Sequence, residues 1–189
     1  RYDGIAATPD RIFFQGYNST TGRELWTSDG TVSGTRLVRD LYTGSTSTGS
    51  GFSSSTRPNS GAARSISTIG GKAYFISSTG LGQSSVWVSD GTAAGTISLS
   101  TVAANHFADS LIAVGSSIFY SVSENGSRRL YRHDGQGTQS QLIGTRSEES
   151  SNTLTNLTAL PNGLIFTISD TGTQYSLATV STTQTQAVI

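Results

Sequence analysis

Cysteine and methionine are absent from this 189-residue chain, proline occurs three times, and Asp, Glu, Lys and Arg together make up only 13%. Without cysteine there is no disulfide framework, so packing must hold the fold. The charges balance at 12 basic and 12 acidic. No Lys/Arg cluster stands out, which removes the footprint that phosphate-backbone or anionic-membrane binding requires. No apolar run approaches the roughly 20 residues a helix needs to cross a bilayer. Nucleic-acid partners and membrane insertion are therefore not expected. The chain begins at Arg1 and shows no signal-peptide pattern, which reads as a piece of a longer protein.

Hydroxyls take the place of ions. Ser and Thr make up roughly a third of the residues, against a low charged fraction for a soluble domain. That composition, together with the missing cysteine, fits a secreted or surface protein, and an extracellular or cell-surface location is the expectation.

Self-similarity decides the architecture. A bulky run, Ile12-Phe13-Phe14, returns as Ala73-Tyr74-Phe75, Ile118-Phe119-Tyr120 and Leu164-Ile165-Phe166. Each copy follows a turn-like stretch: Pro9-Asp10, Gly70-Gly71, Gly115-Ser116 and Pro161-Asn162-Gly163. A second anchor, Leu25-Trp26, returns as Val86-Trp87, Leu130-Tyr131 and, degraded, Leu177-Ala178. From Phe14, Phe75, Tyr120 and Phe166 to Trp26, Trp87, Tyr131 and Ala178 the offsets are 12, 12, 11 and 12. Successive copies lie 61, 45 and 46 residues apart. The excess in the first gap is a Ser/Thr/Gly-rich tract from Gly44 to Gly61, read as an exposed inserted loop.

The chain therefore reads as one repeat domain, 1–189, with copies at about 3–41, 63–101, 108–144 and 154–189. Each copy offers four strands and no convincing helix. Consecutive large side chains in a strand point to opposite faces, so both faces of each sheet must be covered. Radial stacking of four-stranded antiparallel sheets as propeller blades covers both and leaves only short edges. The expected fold is all-β, four such blades, as a complete ring or as part of a larger propeller. A flat sandwich is the structural alternative.

The stretch Gly22-Arg23-Glu24-Leu25-Trp26-Thr27-Ser28-Asp29-Gly30-Thr31-Val32-Ser33-Gly34-Thr35 resembles the bacterial repeat E-L-W-x-x-D-G-T-x-x-G-T. The second copy, Val86-Trp87-Val88-Ser89-Asp90-Gly91-Thr92-Ala93-Ala94-Gly95-Thr96, keeps most of it but has Ser85 in place of Glu. Leu130-Tyr131-Arg132-His133-Asp134-Gly135-Gln136 departs further, and the fourth copy, ending near Ser181-Thr182, departs most. The resemblance implies blades of a large secreted or surface-attached bacterial protein, and no shared enzymatic activity.

The pairs Asp29-Gly30, Asp90-Gly91 and Asp134-Gly135 can be read as calcium ligands or as turns. Each loop supplies one carboxylate, without the crowded oxygens of a calcium loop, so a structural turn is preferred. The turn chemistry is only analogous to the Asp-box of sialidase propellers, which has a residue between Asp and Gly. Trp26 and Trp87 could stack on sugar rings, but matched repeat positions favour gap-filling between blades. His106 with Asp109 and His133 with Asp134 are the His/acid neighbours, with no nucleophile or metal motif beside them. Glu148-Glu149 is read as solvated, and the sequons at Asn18, Asn125 and Asn156 as accidents of a Ser/Thr-rich chain. No catalytic residue, metal ligand or cofactor is assigned, and the ligand-binding residues stay open.

The function expected is a non-catalytic extracellular binding or adhesion module displaying loops on the scaffold, its partner a glycan or a surface protein. One alternative is a structural section of a larger self-assembling surface polymer, with further repeats or another copy of the chain completing a ring. A propeller enzyme acting on polysaccharide is the remaining one.

Overall fold

The structure is a computed structural model that describes residues 4–48, 55–80, 83–99, 107–124, 127–135, 140–143, 153–169, 175–185 and 187–188. Every element among the described residues is a strand. The first sheet runs β1 (Ile5–Ala7), β2 (Ile12–Asn18), β3 (Gly22–Ser28) and β4 (Arg36–Arg39), in sequence order and antiparallel. The second repeats this with β7 (Arg64–Ile69), β8 (Lys72–Gly80), β9 (Gln83–Ser89) and β10 (Ile97–Ser98). The third follows with β11 (Phe107–Val114), β12 (Ser117–Glu124), β13 (Ser127–His133) and β14 (Gln141–Ile143). The fourth has β15 (Thr153–Leu160), β16 (Gly163–Ser169) and β17 (Tyr175–Ser181), and a single bridge, Thr179 to Val188, stands where a fourth strand would lie. The second and third sheets touch edge to edge through one parallel pair, Phe107 with Ser84.

The two sequence anchors prove to be cross-strand partners. Phe14 pairs with Trp26, Phe75 with Trp87, Tyr120 with Tyr131 and Phe166 with Ala178. Large directly opposed side chains stabilise a pair by roughly 0.2–1 kcal/mol each. The rings of Tyr120 and Tyr131 stack at 5.4 Å with 15° between planes. Because offset within the repeat and register within the sheet agree, every sheet presents this row on the same side.

Three cores join the sheets in series. Phe13, Leu25 and Val38 of the first meet Ile66, Ala73 and Phe75 of the second. Tyr74, Ile76 and Val86 on the second sheet's other face meet Leu111, Ile118 and Tyr120. Phe119, Leu130 and Ile143 then meet Leu164, Phe166 and Val180. Among the described residues none of these cores joins the fourth sheet to the first.

Arginines fasten one blade to the next. Arg39 Nη1 donates to Thr96 O at 2.9 Å, Arg64 Nη2 to Ala108 O at 3.1 Å and Arg128 Nη1 to Leu154 O at 3.1 Å. Arg132 Nη1 reaches two carbonyls of the fourth sheet's outer loop, Thr182 O at 2.6 Å and Gln184 O at 2.8 Å. The guanidinium satisfies carbonyls that the sheet ladders leave open.

The tract 44–61 differs from the loop expected. It holds a two-stranded ribbon, β5 (Ser45–Thr48) with β6 (Ser55–Pro58), paired Ser45 to Pro58 through Thr48 to Ser55. Ser and Thr on both strands keep it polar and exposed while the backbone bonds it to itself. The segment 49–54 lies outside the described residues.

Phe75 is fully buried between the first two blades. Phe75→Ala should lower unfolding free energy by about 3–5 kcal/mol, read as a drop in the urea midpoint at unchanged slope.

Candidate functional site

The innermost strand of each of the last three blades carries a β-bulge. The pairing shifts between Arg64 and Ser67, between Ala108 and Ser110, and between Thr155 and Thr158. A bulge bends the strand and turns side chains out of the alternation a flat ladder imposes. Here Ser65 and Asn156 take left-handed backbone conformations, with φ of 52° and 57°. Asn tolerates that region and Ser does so less readily, so the surrounding structure must hold Ser65 there.

The three bulges converge on a pocket of about 530 Å³. Ser65, Ser67, Asp109, Ser110 and Asn156 bring hydroxyl, carboxylate and amide groups to it, and Ile66, Leu111, Ile112 and Leu157 supply apolar wall. Asp109 Oδ2 lies 3.1 Å from Arg128 Nε, and the same guanidinium binds Leu154 O, so the carboxylate is held against the next blade's inner strand. Asn156 Nδ2 donates to Thr167 Oγ1 at 3.3 Å, which leaves the amide oxygen for a ligand or solvent. Hydroxyl and amide groups, with one carboxylate held in an ion pair, over aliphatic wall suit a ligand that is itself rich in hydroxyls.

A second polar centre sits at the root of the ribbon. Glu24, fully buried on β3, accepts from Gly61 N at 2.6 Å through Oε1 and from Leu41 N at 3.3 Å through Oε2. One carboxylate thus ties the chain where it leaves the first blade and where it enters the second. Arg23 O accepts from Ala62 N, Ser60 Oγ accepts from Arg23 N, and Asn59 N donates to Gly44 O, closing the same junction. A Cβ at Gly61 would come within 2.5 Å of Glu24 Oε2, so the carboxylate's approach requires glycine there. Burial pushes the Glu24 carboxyl up to about 7, against the backbone amides of Gly61, Leu41 and Tyr42 that favour its ionised form; Asp40 adds to the rise.

The three Asp-Gly pairs lie at the outer ends of β3, β9 and β13, away from the pocket. In the first two blades the whole S-D-G-T-x-x-G-T stretch is one hydrogen-bonded unit. Asp29 Oδ1 accepts from both Thr31 N and Thr31 Oγ1, and Asp90 Oδ1 from Thr92 in the same way. Gly30 N donates to Ser28 Oγ and Gly91 N to Ser89 Oγ. Each Ser hydroxyl also meets the closing Thr, Ser28 with Thr35 and Ser89 with Thr96. Gly30, Gly91 and Gly135 have φ of 91°, 90° and 81°, which glycine adopts without penalty. In the third copy His133 Nδ1 takes the serine's place, accepting from Gly135 N at 3.0 Å. The Thr hydrogen bonds hold the Asp29 and Asp90 carboxyls below the usual range.

Trp87 packs into the core between the first two blades, as gap-filling requires. Trp26 does not: it lies on the first blade's other face, folded over Gly16, where a Cβ would come within 2.5 Å of the indole. No described blade stands beyond it to make a gap. His106, Asn125 and Glu148-Glu149 lie outside the described residues, as do Gln136 to Gln139 of the third turn. Among the pocket residues, Asp109 and Asn156 carry sequence flags, but for a His pair and a sequon. Ser65 and Ser110 carry none, since one serine among so many gives no signal.

No protein-family model matches the sequence, and no curated protein matches it. Among solved structures the chain is similar to a puromycin hydrolase, with TM-score 0.63 and 14% identity over 97% of this chain and 27% of that one. It is similar to a prolyl endopeptidase at TM-score 0.60 and 10% identity, over 95% of this chain and 24% of that one. For an acylaminoacyl peptidase of Pyrococcus horikoshii the TM-score is 0.56 and the identity 11%, over 97% and 26%. The chain spans about a quarter of the length of these structures. At such identities the likeness is one of fold, to the β-propeller domains of prolyl oligopeptidase-family peptidases.

Two outcomes follow from the side chains above. The folded protein holds the Glu24 proton to higher pH than the unfolded chain, so that contribution to stability is full below about pH 4.5 and lost as pH rises through about 7. Melting temperature should therefore fall from pH 5 to pH 8 in the wild type more steeply than in Glu24→Gln, compared by calorimetry. Separately, a methyl at Gly95 would overlap the Asp90 carboxylate, so Gly95→Ala should cost about 1–2 kcal/mol in a denaturant titration, the scale of a lost capping carboxylate.

Proposed function

We propose that the chain is a binding module, not an enzyme, that presents a polar recognition site from a propeller scaffold outside the cell or on its surface. The observation that carries this reading is the axial pocket, where three consecutive blades each break their inner ladder to bring hydroxyl, amide and carboxylate groups together. Its ligand class is a neutral, hydroxyl-rich molecule, for which a glycan end is the natural choice. Ser and Asn exchange hydrogen bonds with sugar hydroxyls in both directions, and Ile112 and Leu157 accept the C–H face of a pyranose ring.

Several features support binding over turnover. Among the described residues no three His, Cys, Asp or Glu side chains gather as a metal site would require. Asp109 is paired with Arg128 and has no second carboxylate among the pocket residues, whereas glycoside hydrolysis uses two, about 5–9.5 Å apart. The anchored ribbon offers a second, protein-sized surface beside the first blade, and a surface protein is the partner it would suit.

Glycan-array screening followed by calorimetry tests the reading. A hit is expected whose affinity falls about tenfold or more in Asn156→Gly, which removes the amide yet keeps the left-handed backbone, and in Ser110→Ala. Deleting 45–58 should leave that affinity unchanged, and the glycan should be recovered intact after prolonged incubation. No glycan bound at millimolar concentration, or cleavage of the one bound, would remove the proposal.

A further inference from the structure

Two polar groups of the axial pocket are already oriented by the protein, and both are left facing a ligand as acceptors. Asp109 Oδ2 is buried, 3.1 Å from Arg128 Nε, which holds the side chain and leaves Oδ1 as the oxygen a ligand can meet. A carboxylate accepts hydrogen bonds and gives none. Asn156 turns Nδ2 toward Thr167 Oγ1, at 3.3 Å, and so holds its amide oxygen on the opposite side. The two acceptors come from different blades, Asp109 from the bulge of the third inner strand and Asn156 from that of the fourth. Ser65, Ser67 and Ser110 add hydroxyls that can rotate to give or to accept.

Charge in the pocket is equally one-sided. Asp109 is the single ionisable side chain among the lining residues, and no Lys, Arg or His accompanies it there. Two guanidinium groups close to the inner strands are engaged with the protein: Arg128 holds Asp109 Oδ2 and Leu154 O, and Arg64 Nη2 holds Ala108 O. A ligand carboxylate or sulfate in this cavity would therefore meet acceptor oxygens from two blades and no cation on the lining.

Resting on the glycan reading of this pocket, we infer that it selects among sugars by the direction of their hydrogen bonds, taking an uncharged terminus whose hydroxyls donate to both blades and rejecting its acidic counterpart, with Asp109 as the specificity-determining residue. A hydroxyl that donates to a carboxylate makes a short, charge-assisted bond, stronger than one between neutral groups. The group that anchors a neutral sugar is thus the same one that repels an acidic sugar. Discrimination of this kind combines a favourable contact to one ligand with a repulsive one to its competitor.

Calorimetry on the full chain with the methyl glycosides of glucose, galactose and mannose, each set beside its C6 carboxylate, tests this. The neutral member of at least one pair should bind, and its acid should bind about tenfold or more weakly at low ionic strength. Added salt should narrow that gap. Asp109→Asn, which exchanges a charged acceptor for an amide able to donate, should bring the pair to within about threefold. Asn156→Asp should bind the neutral glycoside within about threefold of wild type, because the acceptor stays and Thr167 Oγ1 can turn to donate, yet it should widen the gap to the acid. Asp tolerates the φ of 57° found there, so this second variant decides the matter even if Asp109→Asn loses its tie to Arg128 and unfolds. An acid that binds as tightly as its neutral partner, or a gap that neither substitution moves, would overturn the inference and leave the glycan reading standing. Failure of all six glycosides to bind at millimolar concentration would overturn it as well, and the glycan reading falls with it if the array also gives no hit.

Discussion

A β-sheet whose strands carry large side chains on both faces cannot be left bare on either, and the rest of this structure depends on that constraint. Ala73, Tyr74, Phe75 and Ile76 are four consecutive buried residues on one strand, alternately facing opposite neighbours. A two-layer sandwich covers only one face of each sheet. Stacking in series covers both for every internal sheet, so the choice between architectures is made by those four side chains more than by any turn.

Turn and clamp serve that stacking. The hydrogen-bonded S-D-G-T-x-x-G-T unit fixes the corner between the third and fourth strands from within, using its own Ser, Asp and Thr side chains. Its backbone carbonyls are then free to receive the previous blade's arginines. Arg36 Nη2 donates to Gly91 O at 3.2 Å, and Arg39 reaches Thr96 O. A local unit thus doubles as a docking point between blades. With no disulfide to align the sheets, directional hydrogen bonds of this kind set their angle while the apolar rows supply the bulk of the free energy.

Much of this was legible in the sequence because it is written repeatedly. The offsets between the Phe and Trp series state a cross-strand register, and the structure pairs the two series in all four sheets, including the degraded Phe166–Ala178 copy. What occurs once was not legible. The ribbon at 45–58 has no apolar face, so its strands lack the alternation that marks a buried one, and their pairing is backbone only. The different surroundings of the two tryptophans are invisible too, since Trp26 and Trp87 read alike while only Trp87 packs against a core between blades. The bulges at Ser65, Asp109 and Asn156 fall in inner strands that mix Ser and Thr with Ile and Leu, where an extra residue changes no recognisable pattern.

The candidate site is made where a recurring backbone break carries side chains that differ from blade to blade, and there is a physical reason why it should be. A residue that recurs from copy to copy serves the structure those copies share; it is buried between blades or spent within a turn, as Phe75 and Asp90 are. Polar groups free to meet a ligand must come from positions the stacking does not use, and the inner strands around the axis provide them. Glu24 follows the same logic at the ribbon: the second copy has Ser85 there, because only the first blade must hold both ends of an insertion. Burying that carboxyl is a cost no other copy bears, because Ser85, Arg129 and Ser176 stand at the matching positions.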